Sequence, residues 1–191
     1  MPISTQFAML RPVSDTTAIR NIALVGFMGT GKSTVGRQVA RGLGFEFVDT
    51  DSLIEDAAGM EIAEIFKQAG ETAFRRLERS VVQAVAGREG LVIATGGGLV
   101  VDPANLDSLK THAMVVCLWA SPEAIWERTK HHTHRPLLND PDPQSRIREL
   151  LAEREPHYRK ADIIINTGLR PIREVAQQVI HQFRETTGQK K

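Results

Sequence analysis

An α/β fold, three layers deep with a five-stranded parallel sheet between two layers of helices, follows from three observations. Short apolar runs alternate with amphipathic stretches along most of the chain. Those runs are continuously apolar, as strands covered on both faces are, whereas half-solvated strands alternate. The residues with recognisable chemistry fall just after the runs, where open parallel sheets bind their ligands.

Residues 21–25 (Asn-Ile-Ala-Leu-Val) are the first expected strand, closed by Gly26. Residues 32–43 read as a helix with Val35, Val39, Ala40 and Leu43 on one face and Gly44 as its stop. Residues 45–48 form the second strand and deliver Asp49 and Asp51 to its carboxyl edge. Ser52 is the expected cap of a short helix ending near Gly59, and residues 62–69 suggest another. Residues 71–86 form a longer helix, with Phe74, Leu77, Val81 and Val85 recurring every three or four positions.

The third strand, residues 91–94, runs into Gly96-Gly97-Gly98, and residues 113–119 are the fourth. Ser121-Pro122 opens a helix, serine as cap and proline in the first turn. Residues 131–143 carry three prolines without helical periodicity and read as a loop. Residues 147–160 return to helix, with Pro156 expected to kink or break it. Residues 162–165 are the fifth strand, and a final helix places Ile172, Val175, Val179, Ile180 and Phe183 on one face.

The length of 191 residues suits one domain, expected over residues 21–186, with 1–20 and 187–191 as tails. Residues 1–20 lack the apolar core of a secretory signal, and their Ser, Thr and two Arg are a weak basis for a transit peptide. No stretch approaches the roughly 20 apolar residues that cross a bilayer. A formal charge of +1 points to neither nucleic acid nor membrane as partner, so any attraction for anions is local. The single cysteine, Cys117, sits in an apolar run and reads as a buried structural thiol in a reducing, cytoplasmic setting. Nothing suggests a large apolar interface, and a monomer is expected.

The strongest motif is Gly26-Phe27-Met28-Gly29-Thr30-Gly31-Lys32-Ser33, Gly-x4-Gly-Lys-Ser between a strand and a helix. Its glycines let backbone N–H groups curl around a phosphate, and the helix turns its positive end on the same anion. Lys32 then reaches the β- and γ-phosphates, and the Ser33 hydroxyl ligates Mg²⁺. Nucleotide binding leaves switches, ATPases, sensors and small-molecule kinases open.

Asp49-Thr50-Asp51 places two carboxylates at the same sheet edge, one able to hold Mg²⁺ through water and the other to accept a hydroxyl proton. A capping turn at Asp51 and Ser52 is the bland alternative. Arg75 and Arg76 are about 100° apart on a helix, so only one can face the site. The three glycines at 96–98 fit close approach of a ligand or a tight surface turn equally well.

In order along the chain stand Phe47-Val48-Asp49-Thr50-Asp51, Gly70-Glu71 with Phe74-Arg75-Arg76-Leu77-Glu78, Ala94-Thr95-Gly96-Gly97-Gly98, Arg135-Pro136-Leu137-Leu138 and Arg154-Glu155-Pro156-His157-Tyr158. With the Gly26 loop, this set closely resembles the shikimate kinases. The resemblance implies a P-loop kinase fold like that of nucleoside monophosphate kinases, with a mobile lid over about residues 131–142. It further implies ATP-dependent phosphorylation of the 3-hydroxyl of shikimate, a step toward chorismate and the aromatic amino acids. On the same basis Asp51 binds substrate hydroxyls and acts as base, Arg75 and Arg154 hold the carboxylate, and Gly97 adds a backbone contact. Gly29, Thr30, Gly31, Lys32, Ser33 and Thr34 bind the phosphates of ATP, and Asp49 holds magnesium through water. Arg135 is the implied lid arginine, and Arg128 and Arg170 stand where adenine is contacted.

Three histidines, His131, His132 and His134, precede Arg135 without acidic or cysteine neighbours and read as a solvated lid rather than a metal site. Trp119 and Trp126 read as packing residues. A gluconate or nucleoside kinase, and a regulatory module without turnover, remain as rivals.

Overall fold

The computed structural model describes residues 19–130, 141–168 and 170–188. The expected lid, Arg135 and the three histidines lie outside the described residues, apart from residues 141 and 142. Five strands, β1 (Asn21–Val25), β2 (Glu46–Asp49), β3 (Leu91–Ala94), β4 (Ala113–Trp119) and β5 (Ile163–Asn166), form one sheet in the order β2-β3-β1-β4-β5. Every pairing is parallel.

Successive side chains of a strand point to opposite faces, and both faces here are covered. Ala23, Val115 and Cys117 face a core with α3 (Ile62–Ala86), α4 (Pro103–Lys110), α5 (Pro122–Thr129) and α6 (Pro143–Tyr158). Ile22, Leu24, Met114 and Val116 face the other core, built with α1 (Lys32–Leu43) and α7 (Ile172–Thr187). A third cluster, Ile54, Ile65, Phe74 and Val81, joins α2 (Thr50–Ala58) to α3. No helix among the described residues is long and apolar enough to cross a membrane.

Several expectations are corrected. Asp49 ends β2 and caps α2, its carboxylate accepting from the Asp51 N–H at 3.1 Å, so the helix starts at Thr50 rather than after Ser52. Asp51 therefore belongs to the first turn of a helix and is not a strand neighbour of Asp49. Residues 62–69 and 71–86 are joined through Gly70, whose φ of 76° and ψ of 175° suit glycine alone. α6 begins at Pro143, capped by Asp142, and continues past Pro156 to Tyr158. So near the helix end the ring removes one hydrogen bond without breaking the helix. Ile172 opens α7 but is 43% exposed, outside the buried face of Val175, Ala176, Val179 and Phe183.

Helix α4 has no counterpart in the expectations, although Asp102-Pro103 carries the signal that Ser121-Pro122 does. Asp102 accepts from the Ala104 N–H at 3.0 Å, and Pro103 fills the first turn. Cys117 is fully buried, and burial pushes its thiol up to about 12 against the nearby charge of Lys32. Trp119 and Trp126 are partly buried against the core, as packing residues are.

Candidate active site

The Gly26 loop crosses the carboxyl end of the central strand. Gly29 and Gly31 hold φ values of 74° and 94°, and a Cβ at Gly29 would meet the Thr129 methyl at 2.7 Å. Gly31 starts α1 without a side-chain cap, which leaves the N–H groups of the first turn to an anion. Lys32 Nζ donates to the carbonyls of Gly26 and Phe27, each at 2.9 Å, and so lies along the loop it is to serve. Thr30 is buried, its hydroxyl donating to the Phe27 carbonyl at 2.8 Å as a brace within the loop.

Ser33 Oγ donates to Asp49 Oδ2 at 2.9 Å. This hydroxyl and carboxylate are hard oxygen donors on one side of the phosphate loop, the set Mg²⁺ takes beside phosphate oxygens and water. No group of three acidic, histidine or cysteine residues able to hold a metal occurs among the described residues, and a phosphate-borne Mg²⁺ needs none. The residues present therefore fit this ion.

The glycine run has a specific reason that packing reveals. None of its members holds a positive φ among the glycines that do. Gly96 and Gly98 instead clear space for a charged side chain of the site itself, whereas a Cβ at Gly97 would keep ordinary contact distances. A Cβ at Gly96 would lie 2.5 Å from Asp51 Oδ1, one at Gly98 3.2 Å from Arg75 Nη1, and one at Gly97 3.8 Å from Arg154 Nη1. The Thr50 hydroxyl accepts from the Gly96 N–H at 2.9 Å and ties the run to the start of α2.

Gly96→Ala is accordingly expected to leave the fold intact, because the atom in its way is the movable end of a side chain. It should displace the Asp51 carboxylate and lower kcat by about a hundredfold. Thermal melting and initial rates on the purified variant check this, and an unchanged kcat would refute the clearance role.

Arg75 is held away from the open cleft. Its Nη1 donates to Glu78 Oε2 at 2.6 Å, and its Nη2 and Nε donate to Glu71 Oε1 at 3.0 and 3.2 Å. Burial pulls its guanidinium down, but the hydrogen bonds and charges of Glu78 and Glu71 outweigh this and hold it above its usual value. Burial pushes the Glu78 carboxyl up despite the Arg75 bond. Arg76 is exposed, as the helical angle requires. Glu78 was passed over at the sequence level, although three residues from Arg75 it shares the same helix face.

On the opposite flank, Arg128 donates from Nη2 to the Thr167 carbonyl at 2.7 Å and from Nη1 to the Thr167 hydroxyl at 3.1 Å and the Gly29 carbonyl at 3.3 Å. Arg170 donates to Gln178 at 2.7 Å. Thr167 had no part in the sequence expectations, and the buried Tyr158 stood there only as the last residue of the motif that starts at Arg154. The Tyr158 hydroxyl donates to the Gly97 carbonyl at 2.6 Å and joins α6, which carries Arg154, to the glycine run.

One cleft of about 920 Å³ collects these groups. Gly29, Thr30, Gly31, Lys32, Ser33 and Thr34 line its floor. Asp49, Asp51, Gly97, Arg154, Arg128 and Arg170 also line it. Arg75 lies behind Gly98, which itself lines the cleft.

Residues 28–184 match the family model described as Shikimate kinase. The shikimate kinase of Thermodesulfovibrio yellowstonii is 49% identical over 166 residues, covering 86% of this chain and 95% of that one. That of Caldanaerobacter subterraneus subsp. tengcongensis is 48% identical over 170 residues, covering 89% and 99%. Among solved structures, the shikimate kinase from Acinetobacter baumannii in complex with shikimate superposes with a TM-score of 0.83 at 39% identity. It covers 91% of this chain and 96% of that one.

Proposed function

Because the chain belongs to the shikimate kinase family, we propose that its cleft aligns the γ-phosphate of ATP, bound at the Gly26 loop, with the 3-hydroxyl of shikimate. The enzyme is an ATP-dependent kinase that phosphorylates shikimate in the shikimate pathway. The observation that supports the finer reading is that Lys32 and Ser33 share one cleft with Asp51, Gly97 and Arg154.

Asp51 accepts hydrogen bonds from the substrate hydroxyls and takes the proton of the attacking one. Its carboxylate lies at the glycine run, on the far side of the loop from Arg128. Arg154 and the Gly97 N–H receive the carboxylate of the acceptor, a task suited to the planar guanidinium fork. Arg75 completes this clamp by exchanging part of its bonding to Glu71 and Glu78 for the substrate. Lys32 leaves the carbonyls of Gly26 and Phe27 for the β- and γ-phosphates and stabilises charge on the moving phosphoryl group. Mg²⁺, held by Ser33 and through water by Asp49, would neutralise phosphate charge when bound.

A monomer fits the large exposed apolar side chains among the described residues, Phe66, Ile164 and Ile172, which sit on three different elements. A cytoplasmic setting fits the buried, unpaired Cys117.

Coupled ADP release with Mg-ATP and a panel of shikimate, gluconate and nucleosides tests the assignment. Turnover with shikimate alone is expected, and turnover with gluconate or a nucleoside in its place would overturn it. Arg75→Ala should raise the KM for shikimate by about ten- to a hundredfold, the value of one or two charge-assisted hydrogen bonds, with the KM for ATP unchanged. An unaltered shikimate KM would remove Arg75 from the clamp.

A further inference from the structure

The end of β5 meets the phosphate loop through one side chain. Thr167 is buried, and its hydroxyl lies 3.1 Å from each of three groups: the Thr30 carbonyl, the Trp119 carbonyl and Arg128 Nη1. A hydroxyl offers one proton and two lone pairs. Arg128 can only donate, so the oxygen accepts from it. The hydroxyl proton is within reach of both carbonyls, and of the two the Trp119 carbonyl also accepts from the Thr167 N–H at 2.8 Å. The Thr167 carbonyl takes the second prong of Arg128, and Arg128 in turn reaches the Gly29 carbonyl. Asn166 fixes the turn from the other side, its side chain accepting from the Gly168 N–H at 2.7 Å.

We propose that Thr167 is a positioning residue of the nucleotide half, its hydroxyl locking the carbonyl of Thr30 and the guanidinium of Arg128 into one rigid cradle. The inference rests on the reading of the Gly26 loop as the ATP site. Thr167 touches no reacting atom. It acts by holding the loop carbonyls outward, so that the loop N–H groups keep their inward aim at the phosphates. Its hydrogen-bond partners among the described residues, Thr30, Trp119 and Arg128, all lie away from Asp51 in the sequence, so its effect is expected on the nucleotide half.

Thr167→Val keeps the shape and removes the hydroxyl, whereas Thr167→Ser keeps the hydroxyl and removes a methyl group. ADP is titrated into each protein by calorimetry without shikimate, and initial rates give both KM values. For the valine variant, the ADP Kd and the KM for ATP are expected to rise about tenfold, with the KM for shikimate within twofold of wild type. The serine variant should match wild type in all three. Unchanged ADP binding in the valine variant would overturn the proposal, as would a serine variant equally impaired, or equal shifts in both KM values. If the valine variant fails to fold, Thr167→Ala replaces it and is read the same way. Wild-type protein that fails to bind ADP would refute the nucleotide site itself, an outcome distinct from wild type and valine variant binding equally well.

Discussion

Asp51→Asn is expected to lower kcat by about a thousandfold while ADP binding stays within twofold of wild type. Asparagine has nearly the same shape, so the clearance at Gly96 is respected and α2 keeps its cap at Asp49. What disappears, on the role proposed for Asp51, is the acceptor for the proton of the attacking hydroxyl. In its place stands an amide that can donate toward that hydroxyl, which disfavours the orientation needed for attack. Lys32, Ser33 and Arg128 belong to other elements and are untouched. Steady-state rates with saturating shikimate, together with calorimetric titration of ADP, separate the two effects. A kcat within tenfold of wild type would remove Asp51 from the chemistry. A large loss of ADP binding would show that the substitution had disturbed the loop instead.

Lys32→Ala strikes the other half. It removes the ammonium proposed to meet developing charge on the transferred group, and also two hydrogen bonds to the carbonyls of Gly26 and Phe27. Loss of one such stabilising donor costs about 100- to 1000-fold in rate, and the slackened loop adds to this in ATP affinity. The expected result is a fall in kcat/KM for ATP of at least about a thousandfold. Shikimate binding measured without nucleotide should be unaffected, because Asp51, Gly97 and Arg154 keep their supports. If kcat/KM for ATP fell less than tenfold, the phosphate role assigned to Lys32 would be wrong.

The parts of this molecule that were readable beforehand are those whose signal is local. β1, β3 and β4 are unbroken apolar runs, and the Gly26 motif joins strand to helix within a dozen residues. Asp51 was found by type but misplaced in geometry, since a four-residue strand and a capped helix meet at Asp49, where neither pattern is long enough to fix the boundary. The glycine run was noticed, but its reason was out of reach. Whether a glycine serves its own backbone or a neighbour's side chain depends on what packs against it, and Asp51 and Arg75, the residues crowding Gly96 and Gly98, come from two different helices, α2 and α3. The roles of Thr167 and Tyr158 were out of reach for the same reason. Their partners Thr30 and Gly97 are 137 and 61 residues distant along the chain. The Arg75–Glu78 pair, by contrast, was readable from its spacing and was overlooked.

The strand order has a consequence for how such an enzyme diversifies. With β1 central, β2 and β3 lie on one side and β4 and β5 on the other. Asp51, Arg75 and Gly97 all fall within a single uninterrupted stretch from β2 to the end of the glycine run, while Arg128, Thr167 and Arg170 fall within a later one. Two crossovers in a gene, one before β2 and one after Gly98, would therefore transplant most of the proposed acceptor pocket together with Asp49, and leave the Gly26 loop, Arg128, Thr167 and Arg170 as inherited. Asp49, bonded to Ser33 of the Gly26 loop, breaks this partition in one direction, and Arg154 breaks it in the other, reaching back from α6 into the earlier block's cleft. A lineage that changed its acceptor by exchanging that segment would carry this arginine along as a legacy, and would have to replace it by a separate point mutation before accepting an uncharged substrate.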